Sequence, residues 1–293
     1  MRSVDFLIIL SCCLCWGGNF VISAWALSTA PIPPFFLAFI RSCFAISIMF
    51  PFLLRPFPLR WKRLFLVCLF VGPVHLGFLY TGLQTAPASG GSIVSHMLIP
   101  FAAILSVMFL NERIGRVRLF AILGALTGTI VMIYEPNALK FDIGLIWIIC
   151  AYLSLAVGSV LMKGVGQVEW QQYVAWMAVL VFVFSGLTSV IFEDGQFYAY
   201  EVAKWKLLIA GSYAAVFVSV FAHGQYFGLI KKYDVSMVVP LTLLQTLFAC
   251  ILGVIFLEEI IYLRYYLGAF LILPCVYVIA KRSPNKVYGR KNG

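Results

Sequence analysis

Ten stretches of this chain are each long and apolar enough to cross a lipid bilayer, and they fall into two similar groups of five. A bilayer core is about 30 Å thick, so a spanning helix needs roughly 20 apolar residues. The sequence therefore predicts an all-α membrane protein of ten transmembrane helices. The predicted spans cover residues 6–27, 34–54, 64–85, 91–110, 117–134, 142–162, 170–191, 206–230, 235–256 and 264–281.

The composition agrees with insertion in a membrane and argues against other classes. Hydrophobic residues make up 63% of the 293 residues and charged residues only 11%, against roughly 25% charged in a typical soluble domain. The net charge of +10 does not indicate nucleic-acid binding, because the Lys and Arg residues lie in short loops beside apolar helices. No small-residue cleavage site follows the first apolar run, so it is predicted to be a retained span rather than a signal peptide.

The loop charges predict the orientation of the spans. Sixteen Lys and Arg residues fall on the side of the N-terminus, four fall on the other side, and Arg41 lies within a span. Cytoplasmic loops carry an excess of Lys and Arg, so the N-terminus is predicted to be cytoplasmic. An even number of spans returns the C-terminus to the same side. We therefore predict a multi-pass protein of the cell membrane, and the short tails favour a bacterial inner membrane.

An internal repeat is visible at the ends of the fourth and ninth spans. Residues 109–114 read F-L-N-E-R-I and residues 256–261 read F-L-E-E-I-I. Aligning Glu112 with Glu259 gives an offset of 147 residues, which is half of the chain.

The odd number of spans in each half predicts that the second half is inverted in the membrane. We expect a first five-helix repeat over residues 1–138, an inverted second repeat over 139–281 and a basic cytoplasmic tail over 282–293. Inverted repeats are typical of secondary transporters, because two mirrored arrangements of the halves can expose one central site to either side. Two fused halves can be complete as a monomer, so the predicted partners are membrane lipid and a small-molecule substrate.

Polar side chains inside the spans indicate where a site lies, because they are costly in hydrocarbon. The fourth and ninth spans each carry a stripe of small and polar residues at helical spacing, which predicts a cavity or, alternatively, tight helix packing. The fourth-span stripe is Ser92, His96 and Pro100, and the ninth-span stripe is Thr242, Gln245, Thr246, Ala249, Cys250 and Gly253. The predicted cavity-lining residues are Trp16, Asn19, His75, His96, His223, Thr242 and Gln245.

The three histidines, His75, His96 and His223, all fall in predicted spans. A neutral imidazole costs less to bury than a Lys, and its ordinary pKa near 6.5 suits proton coupling. The histidines are therefore candidates for a proton relay as well as for substrate binding. The alternative for each is a structural hydrogen bond to a backbone carbonyl of a neighbouring helix.

Arg41 is the one formal charge well inside a predicted span. At the bilayer centre it would cost about 2.5–3.5 kcal/mol on insertion scales. It lies near enough to the outer end of the second span for its side chain to reach the interface. A structural hydrogen bond and the attraction of an anionic substrate group are the other two interpretations.

Motifs of soluble enzymes are missing from the sequence. It contains no Walker A, H-E-x-x-H or G-x-S-x-G pattern and no carboxylate pair within a span, so neither an ATP site nor a catalytic site is predicted. The eight cysteines fall inside the predicted spans, where they are expected to pack as small apolar residues. No metal, cofactor or enzymatic activity is therefore expected.

Five short motifs lie in a fixed order along the chain. They are C-W-G-G-N-F-V at 15–21, P-x-x-x-A-x-x-R at 34–41, N-E-R-I at 111–114, V-P-L-T-L-L at 239–244 and L-E-E at 257–259. Over its whole length the chain resembles the drug/metabolite transporter superfamily, and within it the ten-helix EamA-type carriers. The resemblance implies a secondary carrier with a central cavity that works by alternating access.

In detail the motifs are most similar to those of exporters of O-acetylserine and cysteine. This similarity implies export of a small amino acid or a related metabolite. The chain departs from the pattern at Gln245 and Thr246 and at Ile260. It also departs at His96, a position at which the resemblance implies Gln in those exporters. These positions lie in or near the spans expected to face the cavity, so the substrate can differ while the fold does not.

Two other functions stay open. One is import of a larger metabolite, such as a vitamin, a nucleotide derivative or S-adenosylmethionine, on the same fold. The aromatic residues Trp16, Tyr80 and Tyr226 would suit such a ring-bearing substrate. The other is a membrane-embedded enzyme or a channel, and for an enzyme the histidines are the only titratable candidates.

Overall fold

The structure, a computed structural model, forms its helices into ten spans that we number α1 to α10 in chain order. It describes residues 2–56, 60–110, 115–135, 140–162, 164–166, 168–233 and 238–281. Glu112, the predicted repeat boundary at residue 138 and the predicted tail at 282–293 lie outside the described residues.

Two of the first five spans are interrupted helices. α1 is Ser3–Ser28, α2 is Pro34–Leu53, α3 is the helix Trp61–Leu69 followed by the π-helical turn Phe70–Val74 and the helix His75–Leu83, α4 is the helices Ala88–Ser95 and Leu98–Leu110, and α5 is Arg116–Ile133.

The last five spans contain two further interruptions. α6 is Ile143–Met162, α7 is Trp170–Phe192, α8 is the helix Gln196–Tyr213 followed by the π-helical stretch Ala214–Ala222 and the helix His223–Lys232, α9 is the 3₁₀ turn Val239–Leu243 and the helix Leu244–Leu257, and α10 is Leu263–Lys281. Between α5 and α6, the strands β1 (Tyr134–Glu135) and β2 (Lys140–Phe141) form a short antiparallel ladder that the sequence analysis did not predict.

The all-α membrane class is confirmed. Among the described residues, seven helices are long and apolar enough to cross a membrane, and α5, α9 and α10 hold shorter apolar stretches. The eight cysteines lie in helices as free thiols, as expected. The absence of water in hydrocarbon favours helices, since each satisfies its own backbone hydrogen bonds.

The eighth span begins earlier than predicted. Gly195 has a left-handed φ of 81° at the end of the connection from α7, and α8 starts at Gln196 rather than at residue 206. The backbone of Ala203 is non-helical, with φ −130° and ψ 21°, so the helix bends there. Lys204 therefore lies in a helix and not in the predicted connection between residues 191 and 206. The mixture of charged and aromatic residues before the bend lowers the local hydropathy, so a search for apolar runs misses this segment.

The main helix pairs recur when each span is replaced by the span five places along. α1 packs against α8 and α9, and α6 packs against α3 and α4. The pairs α2–α7 and α5–α10, which also pack together, map onto themselves under the same exchange. This exchange is expected of an internal two-fold repeat, whereas the boundary at residue 138 and the inversion of the second half stay predictions.

Small residues allow two of these helix pairs to approach closely. In the pair α5–α10, a Cβ added to Gly128 would lie 2.8 Å from the Leu271 Cβ and 3.1 Å from the Gly268 carbonyl oxygen. A Cβ added to Gly124 would lie 2.7 Å from the Cys275 Sγ. Gly124 and Gly128 have the G-x-x-x-G spacing that allows membrane helices to pack closely.

The contact between α1 and α9 is equally close. A Cβ added to Gly17 would lie 2.7 Å from the Gln245 carbonyl oxygen and 2.9 Å from the Ala249 backbone nitrogen. Because both neighbours are backbone atoms, they cannot turn aside as a flexible side chain could. Gly17 therefore sets the distance between these two helices.

Two glutamates of the second half cap helix starts of the first half at the predicted outer end. The Glu193 carboxylate accepts hydrogen bonds from the backbone N–H groups of Phe35 (2.8 Å) and Phe36 (3.1 Å) at the start of α2. The Glu259 carboxylate accepts hydrogen bonds from Ala88 (2.5 Å) and Ser89 (3.1 Å) at the start of α4. A negative charge at a helix N-terminus is stabilised by the exposed N–H groups and the helix dipole.

We expect Gly17→Ala to destabilise the protein by about 1–3 kcal/mol, because α1 and α9 must move apart to admit the methyl group. Thermal unfolding in detergent, followed by tryptophan fluorescence, measures the change. Gly228→Ala is the matched control: an added Cβ at this helical position meets no atom within 4 Å, and Ala favours helix over Gly by about 1 kcal/mol. Equal melting temperatures for the two variants would contradict the close approach.

We expect Glu259→Ala to lower the stability by about 0.5–2 kcal/mol, the usual cost of removing a helix cap. Glu258→Ala provides the control, since the neighbouring side chain is exposed and an exposed substitution usually changes stability by less than about 0.5 kcal/mol. Thermal unfolding in detergent, followed by tryptophan fluorescence, measures the stability of both variants. A loss at position 258 as large as that at position 259 would count against the cap.

Candidate functional site

Eight spans, α1–α4 and α6–α9, surround a cavity of about 350 Å³. Lining residues such as Trp16, His75 and Tyr152 lie near the middle of their spans, so the cavity is at mid-depth in the bundle. The seven residues predicted from the sequence all line it: Trp16, Asn19, His75, His96, His223, Thr242 and Gln245. The structure thus brings the seven together, while their role in binding a substrate stays a prediction.

Hydrogen bonds join α4 to α9 beside the cavity. Thr246 Oγ1 lies 3.2 Å from the Ser92 carbonyl, to which it donates its only proton. His96 Nε2, 2.9 Å from the same hydroxyl, must therefore be the donor in their hydrogen bond, which fixes the tautomer. Gln245 Nε2 donates to Ser95 Oγ at 2.9 Å.

The polar stripe of α9 serves both of the roles considered for it. Thr242 and Gln245 line the cavity, as the cavity interpretation requires. Thr246 bonds to α4, Ala249 packs against α1 beside Gly17, and Gly253 faces the Glu259 carboxylate, whose Oε2 lies 2.7 Å from an added Cβ. The cavity therefore borders only the first part of the stripe, and the rest is helix packing.

His75 makes the structural hydrogen bond that was its alternative interpretation. Its Nδ1 lies 2.9 Å from the Ala151 carbonyl, and a carbonyl only accepts, so Nδ1 carries the proton. The ring packs edge-on against Tyr152, with centroids 5.1 Å apart. Its Nε2 is then left as the ring nitrogen with a lone pair.

An aromatic group forms another wall of the cavity. The Trp16 ring centroid lies 5.8 Å from that of His223 and 5.3 Å from that of Tyr226, which meets it edge-on. These three residues line the cavity from α1 and α8. The aromatic wall that begins at Trp16 therefore extends into α8.

Each of the two histidines in α3 and α8 follows directly on a π-helical segment. The turn Phe70–Val74 contains Pro73 and ends immediately before His75, and the stretch Ala214–Ala222 ends immediately before His223. Proline removes a backbone hydrogen bond from the helix, which accounts for the turn in α3. π-Helical turns are frequent at functional sites, and hydrophobic periodicity did not reveal either one.

The Arg41 side chain is buried and does not reach the interface, so that interpretation is wrong. Its Nη1 donates to the Tyr80 hydroxyl at 3.1 Å and its Nη2 to Ser219 Oγ at 3.0 Å. The structural hydrogen bond considered for it is thus confirmed. Arg41 also lines the cavity, where the sequence analysis did not place it.

Two buried polar atoms of lining residues have no hydrogen-bond partner within the described part of the chain. They are Nε1 of Trp16, a donor, and Oδ1 of Asn19, an acceptor. Asn19 is 8% exposed. A buried polar group without a partner costs about 1–3 kcal/mol, and both residues line the cavity.

Sequence analysis missed two further polar lining residues, Tyr152 and Ser95. Ser95 lies three residues after Ser92 on α4 and could have been found by extending that stripe. Tyr152 lies in a largely apolar helix and belongs to none of the polar stripes found in the sequence. Its position at the cavity follows only from the packing of α6 against α3 and α4.

Comparison with known proteins agrees with this architecture. Residues 3–134 and 142–281 match the EamA-like transporter family. An uncharacterised transporter of Synechocystis sp. is 25% identical over 303 residues, covering 93% of this chain and 88% of that protein. A chloroplastic WAT1-related protein of Arabidopsis thaliana is 26% identical over 297 residues, covering 94% of this chain and 69% of that protein.

The fold is also similar to that of a solved structure. A crystal structure aligns with a TM-score of 0.58 and 18% identity, covering 96% of this chain and 99% of the other. The helical fold, the cavity at mid-depth and the two matched ranges therefore agree: the chain belongs to the EamA-like transporter family.

Proposed function

We propose that the protein is a secondary transporter that exports a small amino acid or related metabolite through alternating access. The observation that carries this proposal is the cavity at mid-depth, where the unpartnered atoms of Trp16 and Asn19 supply a donor and an acceptor. Membership of a transporter family supports transport rather than an enzymatic reaction. The protein lies in the cell membrane with both termini in the cytoplasm.

The size of the cavity favours a small substrate. Ligand pockets commonly range from about 300 to 1,000 Å³, and this one, at about 350 Å³, is near the lower limit. An amino acid with a short side chain fits such a volume, whereas a nucleotide derivative or a vitamin requires it to expand. Import of a larger metabolite is therefore the less favoured function.

The contact between α4 and α9 supports alternating access. Thr246 bonds to Ser92 and His96 between the cavity and the predicted outer end, and Glu259 caps α4 farther out. These contacts close that route from the outside. Separation of α4 from α9 opens the cavity outward. Because the two halves share the same main helix pairs, a corresponding separation at the cytoplasmic end opens the cavity inward.

We expect proteoliposomes preloaded with unlabelled L-serine, L-cysteine or O-acetyl-L-serine to show saturable counterflow of the labelled compound. Asn19→Ala should weaken the apparent affinity about 10- to 100-fold, because a hydrogen bond to a charged group contributes about 1.5–3 kcal/mol. The control is Thr127→Ala, an exposed residue of α5 whose hydroxyl bonds within its own helix. Exchange of nucleotides or vitamins alone would overturn the substrate class, and no exchange of any compound would contradict transport.

We further propose that the histidines couple transport to protons. His75 and His96 each use one ring nitrogen in a hydrogen bond, which leaves the other free to accept a proton. In His75→Gln the side-chain amide can still donate to the Ala151 carbonyl but cannot take up a proton.

Proton coupling predicts that a pH gradient drives substrate accumulation in proteoliposomes containing the unaltered protein. In His75→Gln this accumulation should fall to the level of empty liposomes, while counterflow, which needs no net proton movement, persists. If substrate is taken up at the same rate whether the inside of the liposomes is more acidic or more basic than the outside, the proton relay is excluded. Loss of counterflow together with accumulation would assign His75 to binding or structure instead.

A further inference from the structure

We infer that Arg41 binds the carboxylate of the transported substrate, an inference that rests on the proposed transport function. The substrate class is accordingly the zwitterionic α-amino acids, with the carboxylate at Arg41 and the ammonium group at Asn19. The family match gives only the matched residue ranges and assigns no substrate-binding role to Arg41 or Asn19.

The charge of Arg41 is buried, and no described residue forms an ion pair with it. The side chain is 6% exposed, and its two hydrogen-bond partners, Tyr80 and Ser219, are neutral. The ion pairs found among the described residues involve other cations, namely Arg55 with Glu169, Lys232 with Asp5, and Arg264 with Asp142. A buried charge is costly unless it is paired, so an anion in the cavity is strongly favoured.

The hydrogen bonds of Arg41 leave donors for such an anion. A guanidinium group has five N–H donors in a planar fork. Tyr80 and Ser219 each accept from one terminal nitrogen, so they hold the plane of the group in place. Three N–H groups remain, and a carboxylate can accept two parallel hydrogen bonds from such a fork. Tyr80 and Ser219 thus act as positioning residues.

A carboxylate suits the site better than a phosphate group. Among the described residues that line the cavity, Arg41 alone carries a formal charge, and none is acidic. One positive charge balances one carboxylate, whereas a phosphate monoester carries nearly two negative charges at pH 7. The Asn19 amide oxygen has no partner and can accept a hydrogen bond from the substrate ammonium group. The cavity is therefore matched to a molecule with one charge of each sign.

Matched competitors test the assignment in the unaltered protein. Counterflow of labelled L-serine, L-cysteine or O-acetyl-L-serine is challenged with the free acid, with its amide, which lacks the negative charge, and with ethanolamine. O-phospho-L-serine tests a phosphate group on the same scaffold. We expect the free acid to compete about tenfold or more better than the amide, the value of a charge-assisted hydrogen bond, and the phosphorylated compound to compete poorly.

Substitutions show whether Arg41 is responsible for that preference. Arg41→Gln should reduce the ratio between acid and amide to about one, and Arg41→Lys should restore part of it, since the positive charge is kept. Thr127→Ala is the matched control: this exposed residue bonds within its own helix and is not among the lining residues, so the preference for the acid should persist. Because the ratio compares two competitors on one variant, a change in the amount of folded protein does not alter it.

The outcomes separate this inference from the proposed function. Equal competition by acid and amide, or an unchanged ratio in Arg41→Gln, would overturn the role of Arg41 and leave the transport of small amino acids standing. Stronger competition by O-phospho-L-serine than by the free acid would overturn the carboxylate class. Absence of counterflow for every acid and amide in the unaltered protein would overturn both. Should Arg41→Gln fail to fold, the competitor series and Arg41→Lys still decide.

Discussion

The absence of water inside a bilayer is the constraint on which the rest of this structure depends. Every polar group in a span must find a partner within the bundle or remain costly. Most hydroxyls solve the problem locally: Thr81 and Ser159, for example, donate to the carbonyl four residues earlier. Against that background, the unpartnered atoms of Trp16 and Asn19 and the remaining donors of Arg41 give the cavity unmet hydrogen bonds, a feature shared elsewhere by single buried hydroxyls such as those of Ser23 and Ser185.

Much of the fold could be predicted from the sequence because hydropathy and span length report directly on the bilayer. The polar residues of the site could be found for the same reason, since His96 and Gln245 are conspicuous in apolar helices. What could not be predicted depends on contacts between distant spans. The partners of Arg41 come from α3 and α8, and Tyr152 reaches the cavity only through the packing of α6. No local pattern encodes these neighbours.

The two halves are held together by contacts of two different kinds. Glycines such as Gly17 and Gly128 permit close apolar packing between helices of opposite halves, and such surfaces can slide without losing a directed bond. At the ends, polar contacts such as the Glu259 cap and the Lys232–Asp5 ion pair join the halves. A rearrangement of the halves must break directed bonds at the ends and also at mid-depth, where Thr246 bonds to Ser92 and Arg41 to Ser219.

The π-helical segments ahead of His75 and His223 alter the rotational phase of their helices. A π turn takes up one residue more than an α turn, and one residue corresponds to about 100° around the helix axis. The face presented by each histidine is therefore set by the segment Phe70–Val74 or Ala214–Ala222. A helical wheel drawn through either segment assigns the following residues to the wrong side, and a one-residue gap in an alignment of relatives belongs at these segments.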